Sequence, residues 1–136
     1  MCKTRKKGKM SYWGHKLDQY EYEEKEIQVE GSTARYWHPQ YRQIHSKLRK
    51  VIEDIIGRKL YNTYYYDRFY FSGQELQRHV DRPSCEISVS VHVSTNLKQL
   101  WPIFVSKPNG ENVGIELEAG DGLLYKGCER PHWREK

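Results

Sequence analysis

No stretch of this sequence is apolar for long enough to cross a bilayer. Its charged N-terminus also lacks the run of about seven apolar residues that a signal peptide needs. A soluble cytoplasmic protein with no membrane partner is therefore expected. Cysteine is scarce: Cys2, Cys85 and Cys128 share no CxxC spacing and cannot all pair, which speaks against both a disulfide framework and a zinc knuckle and fits a reducing compartment. Internal repeats, low-complexity tracts and transferable DNA- or RNA-binding motifs are missing, so nucleic acid is not an expected partner. Aliphatic side chains are few.

Aromatic residues take their place, with eleven Tyr, four Trp and three Phe in 136 residues, a composition that suits strands better than helices. The length is that of one domain able to bury a core without staples. The net charge of +5 is unevenly placed. Lys3, Arg5, Lys6, Lys7 and Lys9 crowd the start, and residues 1 to 20, without periodicity, read as a flexible basic lead-in to a single domain over 21 to 136. A solvated tail explains the basic run better than a phosphate-binding one.

From Pro39, apolar residues recur at helical steps (Tyr41, Ile44, Leu48, Val51, Ile52, Ile55, Ile56) up to Gly57, predicting an amphipathic helix of about 17 residues packed on a sheet. Residues 61 to 71 then read as an aromatic strand with Tyr64, Tyr66, Arg68 and Tyr70 on one face. Extended structure resumes over 75 to 81. The clearest strand is 86 to 93, with Ile87, Val89, Val91 and Val93 on one side and Ser88, Ser90 and His92 on the other. Further strands are expected at Trp101 to Val105, Gly114 to Glu118 and Leu123 to Lys126, divided by Pro108-Asn109-Gly110 and Gly120-Asp121-Gly122. The pattern predicts a mainly β sandwich or jelly roll with a flanking helix.

Two residues apart on a strand, His79 and Asp81 project to the same side, where an imidazole and a carboxylate can meet one cation. His132, at the end of a strand-turn stretch, offers a second imidazole. Two His and one carboxylate on one face of an iron form the facial triad of non-haem Fe(II) oxygenases. Such a site leaves two positions for a chelating 2-oxo acid and one for O2, which a closed four-ligand site does not.

The residues around the pair add to this. Tyr70-Phe71-Ser72-Gly73-Gln74-Glu75-Leu76-Gln77-Arg78-His79-Val80-Asp81 resembles the Y-x-x-G-x-x-[YL]-x-x-H-x-D pattern of prolyl-4-hydroxylase-like Fe(II)/2-oxoglutarate oxygenases. The stretches 82 to 90 and 120 to 135 look like the short bacterial and phage members, and the resemblance covers roughly 39 to 135. It implies a double-stranded β-helix (jelly roll, cupin-like), iron ligands His79, Asp81 and His132, and a 2-oxoglutarate-dependent dioxygenase. That enzyme would hydroxylate a peptide or protein side chain, an amino acid or a small metabolite, releasing succinate and CO2, with ascorbate as a stimulant. A bacterial or phage-infected host cytoplasm is implied. Tyr70 matches the tyrosine that hydrogen-bonds the distal carboxylate of 2-oxoglutarate. The sequence departs from the pattern at Leu76, where many prolyl hydroxylases have a second tyrosine. It departs again after His132, where the last core strand and its cosubstrate-binding Lys or Arg are not found before Lys136. Arg134 is the nearest substitute by sequence, and Lys126 lies just before the turn. The alternative reading is a non-catalytic metal-binding β-barrel module, or a truncated oxygenase.

The remaining residues have plainer readings. Arg82 follows a ligand and is either a partner that orients Asp81 or a surface arginine opening a loop. His92 and Ser90 line the pocket or, for His92, sit as a hydrogen-bonded barrel histidine. Cys85 and Cys128 are expected as small packing residues, and Trp101 and Trp133 as core or rim.

Overall fold

The computed structural model describes residues 28 to 136, so the basic lead-in lies outside the described residues. They fall in two compact units, divided after Phe71.

In the first unit, strands β1 (Thr33–Tyr36) and β2 (Tyr66–Phe69) pair antiparallel, Thr33 opposite Phe69 and Tyr36 opposite Tyr66. Sequence reasoning missed β1, and it made β2 too long: β1 ends at Tyr36, and although Trp37 N–H still donates to Tyr65 O at 3.1 Å, its φ of 62° takes the backbone out of the extended region, so residues 61 to 64 have no partner strand among the described residues. The expected one-sided arrangement of 64, 66, 68 and 70 is present as a ladder. Tyr36 stacks on Tyr64 and Tyr66 at 6.1 and 4.8 Å, and the Arg68 guanidinium lies over Tyr66 at 5.2 Å and over Tyr70 at 5.7 Å. On the other face Arg35 Nε donates to both carboxylate oxygens of Asp67, at 3.0 and 3.1 Å.

Helix α1 (Arg42–Ile56) follows a single 3-10 turn at Pro39–Tyr41 and stops at Gly57, which caps it in the left-handed conformation (φ 68°) with its N–H on the Glu53 carbonyl. The Glu53 carboxylate accepts the Leu60 N–H at 2.8 Å and so holds the departing chain. Of the predicted apolar stripe only Ile52 is buried; Ile44, Val51 and Ile55 are exposed.

His45, on α1, packs its ring against Tyr65 at 4.9 Å. Burial holds its pKa below the ordinary histidine range, with Arg49 one turn away acting in the same direction. A histidine that binds its proton less readily when folded makes the unfolded state the better proton acceptor. Stability is therefore lost as pH falls through the unfolded value of about 6.5. Urea unfolding between about pH 7.5 and 5.5 is expected to show this loss, and His45→Gln is expected to flatten the slope. An unchanged slope in the variant would assign the loss to other groups.

The second unit carries two sheets. The larger has the order β3 (Leu76–His79), β8 (His132–Arg134), β5 (Ile103–Ser106), β6 (Asn112–Ile115), every pair antiparallel. The smaller pairs β4 (Ser88–Val91) with β7 (Gly122–Tyr125), Ser88 opposite Tyr125 and Val91 opposite Gly122. Beyond β4 the pairing continues through His92, whose N–H donates to Asp121 O and whose carbonyl accepts from Gly120 N–H.

Side chains alternate across these strands. On the larger sheet Ile103, Val105 and His132 share the inner face, with Ile103 and His132 almost wholly buried. The outer face carries Phe104 stacked on Trp133 at 5.5 Å, and the Arg78 guanidinium lies 4.6 Å over the Trp133 ring. Gly114 opposes Phe104, and a Cβ there would come within 2.8 Å of the ring, so only glycine lets it lie flat. Between Leu76 and His79 the register slips: β3 takes three steps while β8 takes two, from Arg134 to His132. This bulge turns both Leu76 and His79 inward.

Candidate metal centre

The bulge sets His79 directly across from His132, their rings 4.3 Å apart. Each imidazole is oriented by the carbonyl two residues before it. His79 Nδ1–H donates to Gln77 O at 2.7 Å and His132 Nδ1–H to Arg130 O at 2.9 Å. These bonds place the proton on Nδ1 and leave both Nε2 lone pairs for a cation. Both Nε2 atoms face Asp81 Oδ1, at 3.6 Å from His79 and 3.4 Å from His132.

Asp81 is held from three sides. Its N–H donates to Gly127 O at 2.9 Å, and its Oδ2 accepts the Ser88 hydroxyl at 2.8 Å, so that Oδ1 alone is turned to the histidines. Gly127 closes the third side: a Cβ there would stand 2.5 Å from the Cys85 carbonyl oxygen and nearer still to Asp81 Oδ2 and Ser88 Oγ. Burial alone would raise the carboxyl pKa, but the facing His132 and His79 imidazoles and the Ser88 hydroxyl outweigh it and hold the group well below the usual carboxylate range. The carboxylate is charged at any ordinary pH.

The three donor atoms lie within 4.8 Å of one another. Donors about 2.1 Å from one cation stand about 3 Å apart when adjacent, so the imidazoles would have to close in on Asp81 Oδ1 to share one ion. Two neutral imidazoles and one carboxylate on one face suit Fe(II) with open positions opposite. Tyr125 lies beside this group, its ring 4.7 Å from that of His132 and its hydroxyl 3.2 Å from Ser90 Oγ. Sequence reasoning missed the roles of Ser88, Tyr125 and Gly127. Alternation had put Ser88 on the same face as Ser90 and was the signal for it. Tyr125 and Gly127 depend on cross-strand placement and gave none.

The other candidate residues are placed as follows. Tyr70 belongs to the first unit, where its hydroxyl accepts from Arg68 Nη1 at 3.2 Å. Lys126 is exposed and reaches Glu129 Oε1 at 3.4 Å. Arg134 donates from Nη1 to the Trp101 carbonyl at 2.6 Å and lies 4.9 Å over that ring. Arg82 contributes its carbonyl, which accepts the Cys85 N–H at 2.8 Å and the Cys128 thiol at 3.1 Å. Burial and the nearby Asp81 raise the Cys128 pKa, so it stays a thiol. His92 is half-buried and its Nε2, wholly enclosed, has no hydrogen-bond partner among the described residues.

No protein-family model matches the sequence, and no curated protein matches it. Among solved structures, the crystal structure of a Pseudomonas putida prolyl-4-hydroxylase is similar, with a TM-score of 0.65 and 17% identity over 82% of this chain and 67% of that one. The fold is thus that of a prolyl-4-hydroxylase-like jelly roll, mostly β with one helix. Within it, the chain carries a His-Asp-His group able to hold a metal.

Proposed function

We propose that the chain is an Fe(II)- and 2-oxoglutarate-dependent dioxygenase that hydroxylates a peptide or protein side chain, an amino acid or a small metabolite. The observation that carries this reading is the convergence of His79 Nε2, His132 Nε2 and Asp81 Oδ1 within 4.8 Å inside a prolyl-hydroxylase-like fold. Iron with 2-oxoglutarate and O2 supplies oxidative decarboxylation to succinate and CO2 coupled to oxygen insertion into a C–H bond. The protein's part is to hold and to shield. The Gln77 and Arg130 carbonyls fix the two imidazoles, and Ser88 keeps Asp81 from chelating through both oxygens. Ile103 and Leu76 bring buried apolar surface to the inner face that carries His132, favouring exclusion of water.

The test is succinate formation by the full chain with Fe(II), ascorbate and 2-oxoglutarate, alone and with members of each substrate class. Iron-dependent succinate is expected, increased by the right substrate. A chain that binds iron stoichiometrically yet neither binds nor consumes 2-oxoglutarate would sink this reading.

A further inference from the structure

Cys85 and Cys128 meet at the end of the β4–β7 ladder and take no part in the metal centre. Gly127 N–H donates to Glu86 O at 3.1 Å, which carries the pairing of Ser88 with Tyr125 two residues further. Each cysteine is the next residue outward from this bonded pair. Neighbours of such a pair across an antiparallel ladder stand about 4.5–5.5 Å apart between Cα atoms, inside the span of about 4.4–6.8 Å that a disulfide bridges. The 3-10 turn at Pro83–Cys85 folds Cys85 against this end of the ladder, where its carbonyl accepts the Ser88 hydroxyl at 3.2 Å and lies 2.5 Å from where a Gly127 Cβ would stand. The Arg82 carbonyl accepts both the Cys85 N–H at 2.8 Å and the Cys128 thiol at 3.1 Å, so the Cys128 sulfur sits beside the Cys85 backbone. Burial first, then Asp81 and Cys85, raise the Cys128 pKa, which puts the Cys85 side chain within electrostatic reach of it. Both cysteines are half-buried thiols, open to a small oxidant.

The two segments that meet here carry metal ligands. Asp81 lies four residues before Cys85, and His132 four residues after Cys128. Hydrogen bonds join them, Asp81 N–H to Gly127 O at 2.9 Å and Gly127 N–H to Glu86 O.

We propose that Cys85 and Cys128 form a reversible disulfide that clamps the segment following Asp81 to the turn leading into His132. Glutathione disulfide is an oxidant of the right class. The Cys85 thiolate attacks one of its sulfurs and expels a glutathione thiolate; Cys128 gives up its proton and displaces the second, leaving one protein disulfide and two reduced glutathiones. The Arg82 carbonyl loses the Cys128 thiol in this step and keeps the Cys85 N–H, so no orphaned acceptor opposes it. The clamp acts on the ligand-bearing backbone whether or not a metal is bound, and it goes beyond the oxygenase reading without depending on it.

Equilibration of the full chain in glutathione redox buffers, followed by acid quench and non-reducing peptide mapping, tests the bridge. The native protein is expected to join Cys85 to Cys128 within one chain, unaffected by Cys2→Ser, whereas in denaturing urea the three cysteines are expected to pair without this preference. Oxidation is expected to slow hydrogen exchange of the Asp81 amide about tenfold and to raise the thermal midpoint by about 5 °C or more. Both shifts are expected to vanish in Cys85→Ser and in Cys128→Ser. Native protein whose cysteines take up glutathione singly, or pair through Cys2 or between chains, overturns the proposal. A Cys85–Cys128 bridge that leaves the Asp81 amide and the midpoint unchanged overturns the clamp.

Discussion

Asp81→Ala is expected to take iron binding from a full equivalent per chain to background, while the barrel still folds. The lost oxygen, Oδ1, is the one that both Nε2 atoms face, so two histidines remain with no anionic donor and a neutral pair of ligands. The metal-free fold also loses the hydrogen bond from the Ser88 hydroxyl, which sets a destabilisation of about 1–3 kcal/mol. Metal analysis after anaerobic loading reads the first effect and denaturant unfolding the second. His79→Ala is expected to behave alike in metal binding. A variant that keeps full iron stoichiometry would remove these residues from the ligand set.

Gly127→Ala is expected to be as damaging without touching a ligand. The added methyl would stand 2.5 Å from the Cys85 carbonyl oxygen, a backbone atom that cannot swing aside, and would press on Asp81 Oδ2 and Ser88 Oγ as well. Something must move, and of the three only Asp81 Oδ2 and Ser88 Oγ are side-chain atoms that can. Overpacking of this kind costs about 3 kcal/mol or more. Displacement of a ligand from its orienting partner is expected to cost a further factor of about 10–100 in iron affinity. Gly110→Ala is the control. Its Cβ would meet nothing within 4 Å and only its positive φ of 85° opposes the change, so about 1 kcal/mol is expected with no effect on iron. Equal effects of the two substitutions would show that crowding at Asp81 adds nothing beyond what a Cβ costs at an uncrowded glycine.

The legible parts of this protein were those set by short-range rules. Period-two alternation found the strand through Ser88–Val91 and placed Ser90 and His92 together, and Gly57 marked the helix end. The boundaries of β5 and β7 came out within two residues of those expected from the Gly and Pro turns, while β6 starts two residues and ends three residues earlier than expected. The exposed Ile44, Val51 and Ile55 had the same helical period as the buried Ile52, and periodicity cannot say which neighbours an apolar stripe will find. The short β1 lay in Thr33–Tyr36, too few residues to show alternation, and its end depends on a tryptophan adopting a positive φ. Around the metal centre, the two histidines and the aspartate announced themselves by residue type and spacing. Their supports did not, because Tyr125 meets His132 and Gly127 meets Asp81 only once the strands are in register.

The slipped register in β3 makes the centre a matter of parity. Leu76 and His79 are an odd number of residues apart, and only the extra residue lets both point the same way. Loss of a single codon between them would let the ladder with β8 close regularly, two steps on each strand, and would keep the histidine across from His132 and the His-x-Asp spacing intact. Closing the ladder without that loss would instead set Arg78 across from His132 and reverse which side of the sheet the motif addresses. A sequence scan would find the pattern in both cases, although in the second the histidine would look outward and the three donors would not meet. In this fold, the bulge between the anchor Leu76 and the first histidine is therefore as informative as the motif itself.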